Sequence, residues 1–354
     1  MEKTPHIPRL VVLELTRRCN LSCIHCRASS QRDAGEGELS TEEWLGVLDD
    51  ISLFYKPIII LSGGEALLRD DVFEIISHAG QRGLTVVLAT CGAALTLEKV
   101  AKLKSAGIKR VSVSIDGKDA ATHDFIRQQA GAFKTALKAI DLLRRYLIEF
   151  QINTTVTQYN FRQLTEIFAL AIQLGAVSFH PFFLVPVGRA KDIPEEQLSK
   201  YEYEGTLNKL SKLAKDSKIS CRPTCAPHYF RVLNQSVSAV VEPGDSKKHV
   251  GLDGLTAGCL GGKSFAFISS TGKVQACGFL EVECGSIRQS RFSQIWQNSL
   301  VFNRLRDFSI YKGKCGECEY VRICGGCRAR AYEATGDYLQ EEPECVYQPL
   351  TVKS

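Results

Sequence analysis

Three cysteines, Cys19, Cys23 and Cys26, stand as Cys-x3-Cys-x2-Cys with no fourth cysteine nearby. Three thiolates neither close the four-coordinate shell of a structural zinc nor fill the corners of a cubane iron–sulfur cluster. Either a distant residue completes the shell, or one metal position stays open for a ligand. A [4Fe-4S] cluster with one open iron is the chemically useful form, because that iron can bind a small molecule and pass it an electron. Three structural thiols, or zinc with a fourth ligand from elsewhere, are the other readings of the spacing.

The remaining cysteines are unevenly placed. Of fourteen, Cys91 stands alone and ten lie between Cys221 and Cys345. The opening residues Met1-Glu-Lys-Thr-Pro lack the apolar core of a signal peptide. Clustered cysteines therefore read as metal ligands rather than disulfides. Cys259, Cys277 and Cys284 precede Cys315-x2-Cys318-x5-Cys324-x2-Cys327, and Cys345 follows. Zinc ribbons also use cysteine pairs at spacing two, so zinc is open here as well.

The elements that must position these thiols are visible as alternation. Apolar, β-rich runs fall at Leu10–Leu15, Pro57–Leu61, Leu84–Ala89, Arg110–Ile115, Phe150–Val156 and Val177–Leu184. Between them lie amphipathic stretches at Thr41–Leu53, Asp71–Ala79, Leu97–Ala106, Phe133–Leu147 and Phe161–Leu174. Ser40 with Glu43 forms a capping-box signal ahead of the first. Repeated βα units imply a parallel sheet with helices outside. Six units are too few for a closed eight-stranded barrel, so an open, partial (β/α)6 barrel of TIM type fits. Chemistry in such barrels gathers at the C-terminal strand ends, where Cys19–Cys26 already sits.

The other strand ends supply polar groups to the same face. The second ends in Ser62-Gly63-Gly64-Glu65, where glycines permit close approach of a ligand and Glu65 offers an acceptor. The third ends in Thr90-Cys91-Gly92. The fourth gives Ser114-Ile-Asp116-Gly117, followed by His123 and Arg127. The fifth, Gln151–Val156, carries polar residues within a β run, as expected if one face lines a polar cavity. After the sixth, Arg189 could meet an anionic substrate. Later, Cys221-Arg-Pro-Thr-Cys225-Ala-Pro-His228-Tyr229-Phe230 is a proline-rich loop whose thiols read as cavity residues. Ser264–Ile268 and Lys273–Cys277 around Ser270-Thr-Gly272 read as a hairpin.

Cys19-x3-Cys23-x2-Cys26 after a first strand resembles the signature of the radical S-adenosylmethionine (SAM) enzymes. The resemblance implies that the open iron chelates SAM. It implies further that His25 lies against adenine, that Gly63, Gly64 and Glu65 hold the methionine amino group, and that Ser114 contacts the ribose. Arg127 would pair with the SAM carboxylate and Asn153 would face SAM. Cys91 departs from the family, which often has asparagine there. The C-terminal cysteines resemble the SPASM extension, which carries one or two auxiliary [4Fe-4S] clusters. By that pattern Cys315, Cys318, Cys324 and Cys345 hold one cluster. Cys259, Cys277 and Cys327 hold another, completed by Cys284 or left open to substrate. Stretches such as Gln275-Ala-Cys-Gly-Phe-Leu and Cys324-Gly-Gly-Cys-Arg-Ala-Arg330 are similar to those of the tetrapyrrole-modifying branch, the haem synthases above all. That branch implies oxidative decarboxylation of two Fe-coproporphyrin III propionates to vinyl groups. An iron porphyrin is then the substrate, and a low-potential donor supplies electrons. Deacetylation of didecarboxysiroheme, haem d1 synthesis and peptide modification are the neighbouring activities. His228 and Tyr229 are candidates to touch the macrocycle or donate a proton.

Composition bounds the rest. The chain has 354 residues, 44% of them hydrophobic, enough for a substantial core. A net charge of +5 is too mild to imply nucleic acid. No apolar run approaches the ~20 residues of a membrane span, so the expectation is a cytoplasmic protein. The domain reading is a barrel core at 1–195, a helical connector and substrate-side loop at 196–250, and a cysteine-rich region at 251–354.

Overall fold

The structure is a computed structural model and describes residues 6–215, 217–238 and 258–350. Six parallel strands run β1 (Leu10–Glu14), β2 (Ile58–Ser62), β3 (Thr85–Thr90), β4 (Arg110–Ser114), β5 (Glu149–Val156) and β6 (Ser178–Phe183). They pair in that order. β-Branched runs such as Ile58-Ile-Ile60 favour this pleated, half-buried backbone. The expected strands are within one residue or so of those observed.

The sheet extends beyond the six. A two-residue β7 (Ser220–Cys221) adds parallel to β6, too short to leave a periodic signal in the sequence. On the opposite edge β8 (Phe265–Ile268) adds parallel to β1, with Val11 facing Ala266 and Leu13 facing Ile268. The expected hairpin follows as antiparallel β9 (Lys273–Cys277), and β10 (Leu280–Ser286) completes the edge. The resulting ten-stranded sheet runs β10-β9-β8-β1-β2-β3-β4-β5-β6-β7 and stays open. The cysteine-rich segment is thus joined to the barrel by backbone hydrogen bonds.

Helices cover the outer face. Thr41–Phe54 begins with the expected capping box: the Ser40 amide donates to Glu43 and the Glu43 amide to Ser40 Oγ. Such a cap contributes about 1 kcal/mol. The helix buries Trp44, Leu48 and Ile51 against the sheet. Along β5 the alternation sends Phe150, Ile152 and Val156 outward, while Gln151, Asn153 and Thr155 stay half-exposed inside. Residues 239–248 of the polar stretch Gln235–Lys248, read from sequence as a loop, lie outside the described residues. Gln235 itself belongs to the helix His228–Ser238. Among the described residues no helix is long and apolar enough to cross a membrane.

Candidate active site

The first three thiols lie on the loop after β1. Cys19 and Cys23 are buried with Leu21, and Cys26 and Cys91 pack against them. Burial pushes the Cys19 thiol up to about 11. Burial also raises Cys23, against the pull of Arg127. Burial would raise Cys26 too, but the Ser30 amide and hydroxyl, with Arg189, outweigh it and hold this thiol below its ordinary value. A buried thiol of raised pKa keeps its proton unless a metal takes its place.

Two neighbouring loops fix that loop. The Gly64 amide donates to the Thr16 carbonyl at 2.7 Å and the Glu65 amide to the Arg18 carbonyl at 2.8 Å. A Cβ on Gly63 would collide with the Thr16 carbonyl, and one on Gly64 with that of Arg18. The glycines are therefore needed for close approach of chain to chain, a reason the sequence alone did not supply. Glu65 is fully buried. Its Oε2 accepts from Thr90 Oγ1 at 2.7 Å, the Cys91 amide at 3.0 Å and the Cys91 thiol at 3.1 Å. From beyond β6, Gly188 adopts φ +58°, and a Cβ there would collide with the Cys26 and Arg27 carbonyls. Arg189 Nε donates to the Cys23 carbonyl at 2.7 Å and Nη1 to that of Ser30 at 2.9 Å. Arg189 is thus a clamp on the cysteine loop. The sequence suggested a contact with an anionic substrate; these two bonds turn Nε and Nη1 to the cysteine loop.

A buried carboxylate organises the next strand end. Asp116 receives Arg127 Nε at 2.6 Å and lies 3.7 Å from His25 Nε2. Its Oδ1 accepts the Thr155 amide at 2.8 Å. Burial would raise Asp116, but Arg127, His25, His123 and the Thr155 amide together outweigh it and hold the carboxyl below its ordinary range. Arg127 also reaches toward Cys23 Sγ, 3.7 Å away. Burial holds the His25 imidazole down to about 4, and thus neutral, against the opposing pull of Asp116. Ser114 faces Asn153 across β4 and β5, and Asn153 faces His180 across β5 and β6. Gln151 Nε2 donates to Asn153 Oδ1 at 2.9 Å. This polar row lines the same interior, and Asp116 and His180 join the expected residues there.

The later cysteines gather in two sets. Cys315, Cys318, Cys324 and Cys345 border one recess with an empty volume of about 370 Å³. Cys259, Cys277 and Cys327 lie within electrostatic reach of one another. Cys225 joins them, its thiol pushed well above its ordinary value by burial and then by Cys327 and Cys277. Its backbone has φ +56°, and its carbonyl accepts from Tyr203 Oη and Arg330 Nη2. Cys284 is elsewhere, beside Ser299 and Arg306. The thiol that lies beside this set thus comes from the proline-rich loop, where the spacing from Cys221 could suit metal but the sequence reading was a cavity residue. His228 and Tyr229 are buried. His228 borders the Cys315 recess, while Tyr229 sits beside Cys221 and Arg222. Among the described residues no three such side chains meet as the shell of a single ion. Cys315, Cys318, Cys324 and Cys345 border an open recess instead.

The two regions touch. Arg27, next to Cys26, donates to the Gly278 carbonyl at 3.1 Å and to Glu14 at 2.5 Å, and stacks over Phe267.

Comparison with known proteins completes the picture. Residues 13–171 match the family model of the radical SAM superfamily, and residues 259–328 match the SPASM iron–sulfur cluster-binding domain. The chain belongs to the radical SAM superfamily and carries a SPASM extension, so its cofactors are SAM and iron–sulfur clusters; the zinc readings are set aside. It is 50% identical over 342 residues to the AdoMet-dependent heme synthase of Methanosarcina barkeri, covering 97% of each chain. It is 45% identical over 343 residues to the AdoMet-dependent heme synthase of Nitratidesulfovibrio vulgaris, covering 96% of this chain and 93% of the other. Streptococcus suis SuiB bound to S-adenosylmethionine shares the fold at TM-score 0.73 and 15% identity, over 96% of this chain and 76% of that one.

Proposed function

We propose that this protein is a haem synthase that converts two propionates of Fe-coproporphyrin III to vinyl groups, giving haem b and two carbon dioxide molecules. The observation that carries this reading is the near full-length, 50% identity to a heme synthase in a chain whose two thiol regions abut at one barrel mouth. Each propionate loses one hydrogen atom, one electron and carbon dioxide. When bound, the SAM-chelating cluster supplies hydrogen abstraction, and the auxiliary clusters supply an acceptor for the released electron.

The residues divide the work. Cys19, Cys23 and Cys26 hold the barrel cluster. Glu65 meets the methionine ammonium, Arg127 the carboxylate, Ser114 and Asn153 the ribose side, and His25 the adenine. Gly63 and Gly64 let their loop close on the cysteine loop, and Asp116 holds Arg127 and His25 in place. Cys315, Cys318, Cys324 and Cys345 hold one auxiliary cluster, and Cys225, Cys259, Cys277 and Cys327 the other. Neutral His25 suits stacking on an uncharged purine better than an imidazolium would. A cytoplasmic, low-potential electron donor fits reductive chemistry on buried clusters.

The test is anaerobic incubation of the protein with SAM, a strong reductant and Fe-coproporphyrin III, followed by chromatography and mass spectrometry. Haem b should accumulate through a monovinyl intermediate. Consumption of didecarboxysiroheme with Fe-coproporphyrin III untouched would replace this reading by the deacetylase one.

A further inference from the structure

Glu342 is fully buried and touches both C-terminal thiol sets. Its Oε2 accepts the Cys327 amide at 2.6 Å. Its own amide points at Cys315 Sγ, 3.3 Å away. Its Oε1 accepts Arg330 Nη1 at 3.0 Å, and Arg330 Nη2 donates onward to the Cys225 carbonyl at 3.1 Å. The carboxylate is therefore bonded to the set of Cys225 and Cys327, directly and through one guanidinium, while the backbone amide meets Cys315 and the buried charge acts on the Cys324 thiol of the other set. His228 lies on its other side. Its Nε2 is 3.7 Å from Glu342 Oε2, beyond hydrogen-bond length. Among the described residues neither ring nitrogen finds a hydrogen-bond partner, although the side chain is fully buried. The ring instead borders the recess of Cys315, Cys318, Cys324 and Cys345.

A buried donor without a partner among the described residues calls for an acceptor beyond them. Sulfur of an iron–sulfur cluster is such an acceptor, and hydrogen bonds to cluster sulfur raise its potential. A fixed negative charge does the opposite, because it opposes the added electron, and burial makes its field strong. We infer that Glu342 is a positioning residue shared by the two auxiliary clusters, a common negative charge that lowers both potentials together, while His228 donates to the cluster at Cys315 and raises that one. This inference rests on the ligand sets assigned under the proposed function. Its consequence concerns electron flow. One charge between two sites moves both levels in the same direction and leaves their difference to local bonds such as that of His228. An electron taken up at one site then passes to the other without a step imposed by Glu342.

The test is a potentiometric titration of the reconstituted full-length protein, followed by electron paramagnetic resonance. Cys277→Ala and Cys318→Ala first identify the two auxiliary signals, each deleting one. If they do not, the ligand assignment fails and this inference fails with it. Given two assigned signals, Glu342→Gln should move both to more positive potential and leave the barrel cluster in place. Glu342→Asp, which keeps the charge, should leave both near the parent values. His228→Phe should move only the signal deleted by Cys318→Ala, and to more negative potential. A shift of one auxiliary signal alone in Glu342→Gln, or of none, overturns the shared role. If Glu342→Gln does not retain its iron, His228→Phe decides, and an unmoved potential there overturns the inference.

Discussion

The two thiol regions are built by opposite means. In the barrel loop three cysteines lie within eight residues, and the rest of the molecule only has to hold the loop still. Backbone bonds from Gly64 and Glu65 and the clamp of Arg189 do that from two other strand ends. In the C-terminal region the thiols are spread from Cys225 to Cys345. There a fully buried Glu342 and Arg330 tie the separate segments together. A local site needs long-range clamps; a dispersed site needs a buried polar hub.

The largest test of that contrast is at the dispersed site. Cys225→Ala should lose one auxiliary cluster, about four iron and four sulfide per chain, and leave the barrel cluster intact. Cys284→Ala should lose none. Iron and sulfide analysis of the two variants distinguishes them, and equal losses would contradict the grouping.

At the local site the clamps can be broken without touching a thiol. Gly64→Ala and Gly188→Ala each drive a Cβ into a backbone carbonyl of the cysteine loop, and at Gly188 the left-handed φ adds strain. Each should cost roughly 2 kcal/mol or more. The variants should lose barrel-cluster iron and SAM cleavage while keeping C-terminal iron. Melting curves and iron counts check this; normal SAM cleavage would show that the close approach is dispensable.

This contrast also explains what could be read from sequence. The six strands and their order were legible because β-rich runs alternate cleanly with amphipathic helices. The cysteine triad was legible because its spacing is local. The role of Arg189 was not, because a long polar side chain at a strand end serves a ligand and a loop carbonyl equally well. Cys225 was missed because its nearest thiol in sequence, Cys221, belongs to β7, while its neighbours in space come from more than thirty residues away. Glu342 had no signal, being one acid in an acidic stretch, Glu341-Glu-Pro-Glu344. The β8 pairing with β1 was hidden because no local pattern says which edge a hairpin joins.

A smaller effect is expected with pH. Burial, with Arg127 nearby, holds His123 down to about 4, and its Nδ1 accepts the Asp116 amide at 3.0 Å. The unfolded chain takes up a proton near the ordinary value of 6.5 that the native ring refuses. This contribution is therefore complete above about pH 6.5 and falls as the pH drops toward about 4. His123→Gln should flatten that part of the curve of melting temperature against pH; an unchanged slope would assign the titration elsewhere.

The most direct measurement is made on the triple variant Cys19→Ala, Cys23→Ala, Cys26→Ala, purified anaerobically. Iron and sulfide are counted and 5′-deoxyadenosine is assayed with SAM and reductant. The account predicts no 5′-deoxyadenosine, loss of one cluster's iron and retention of the iron held at the C-terminal thiols. Undiminished 5′-deoxyadenosine, or loss of all iron together, would contradict two separately built sites.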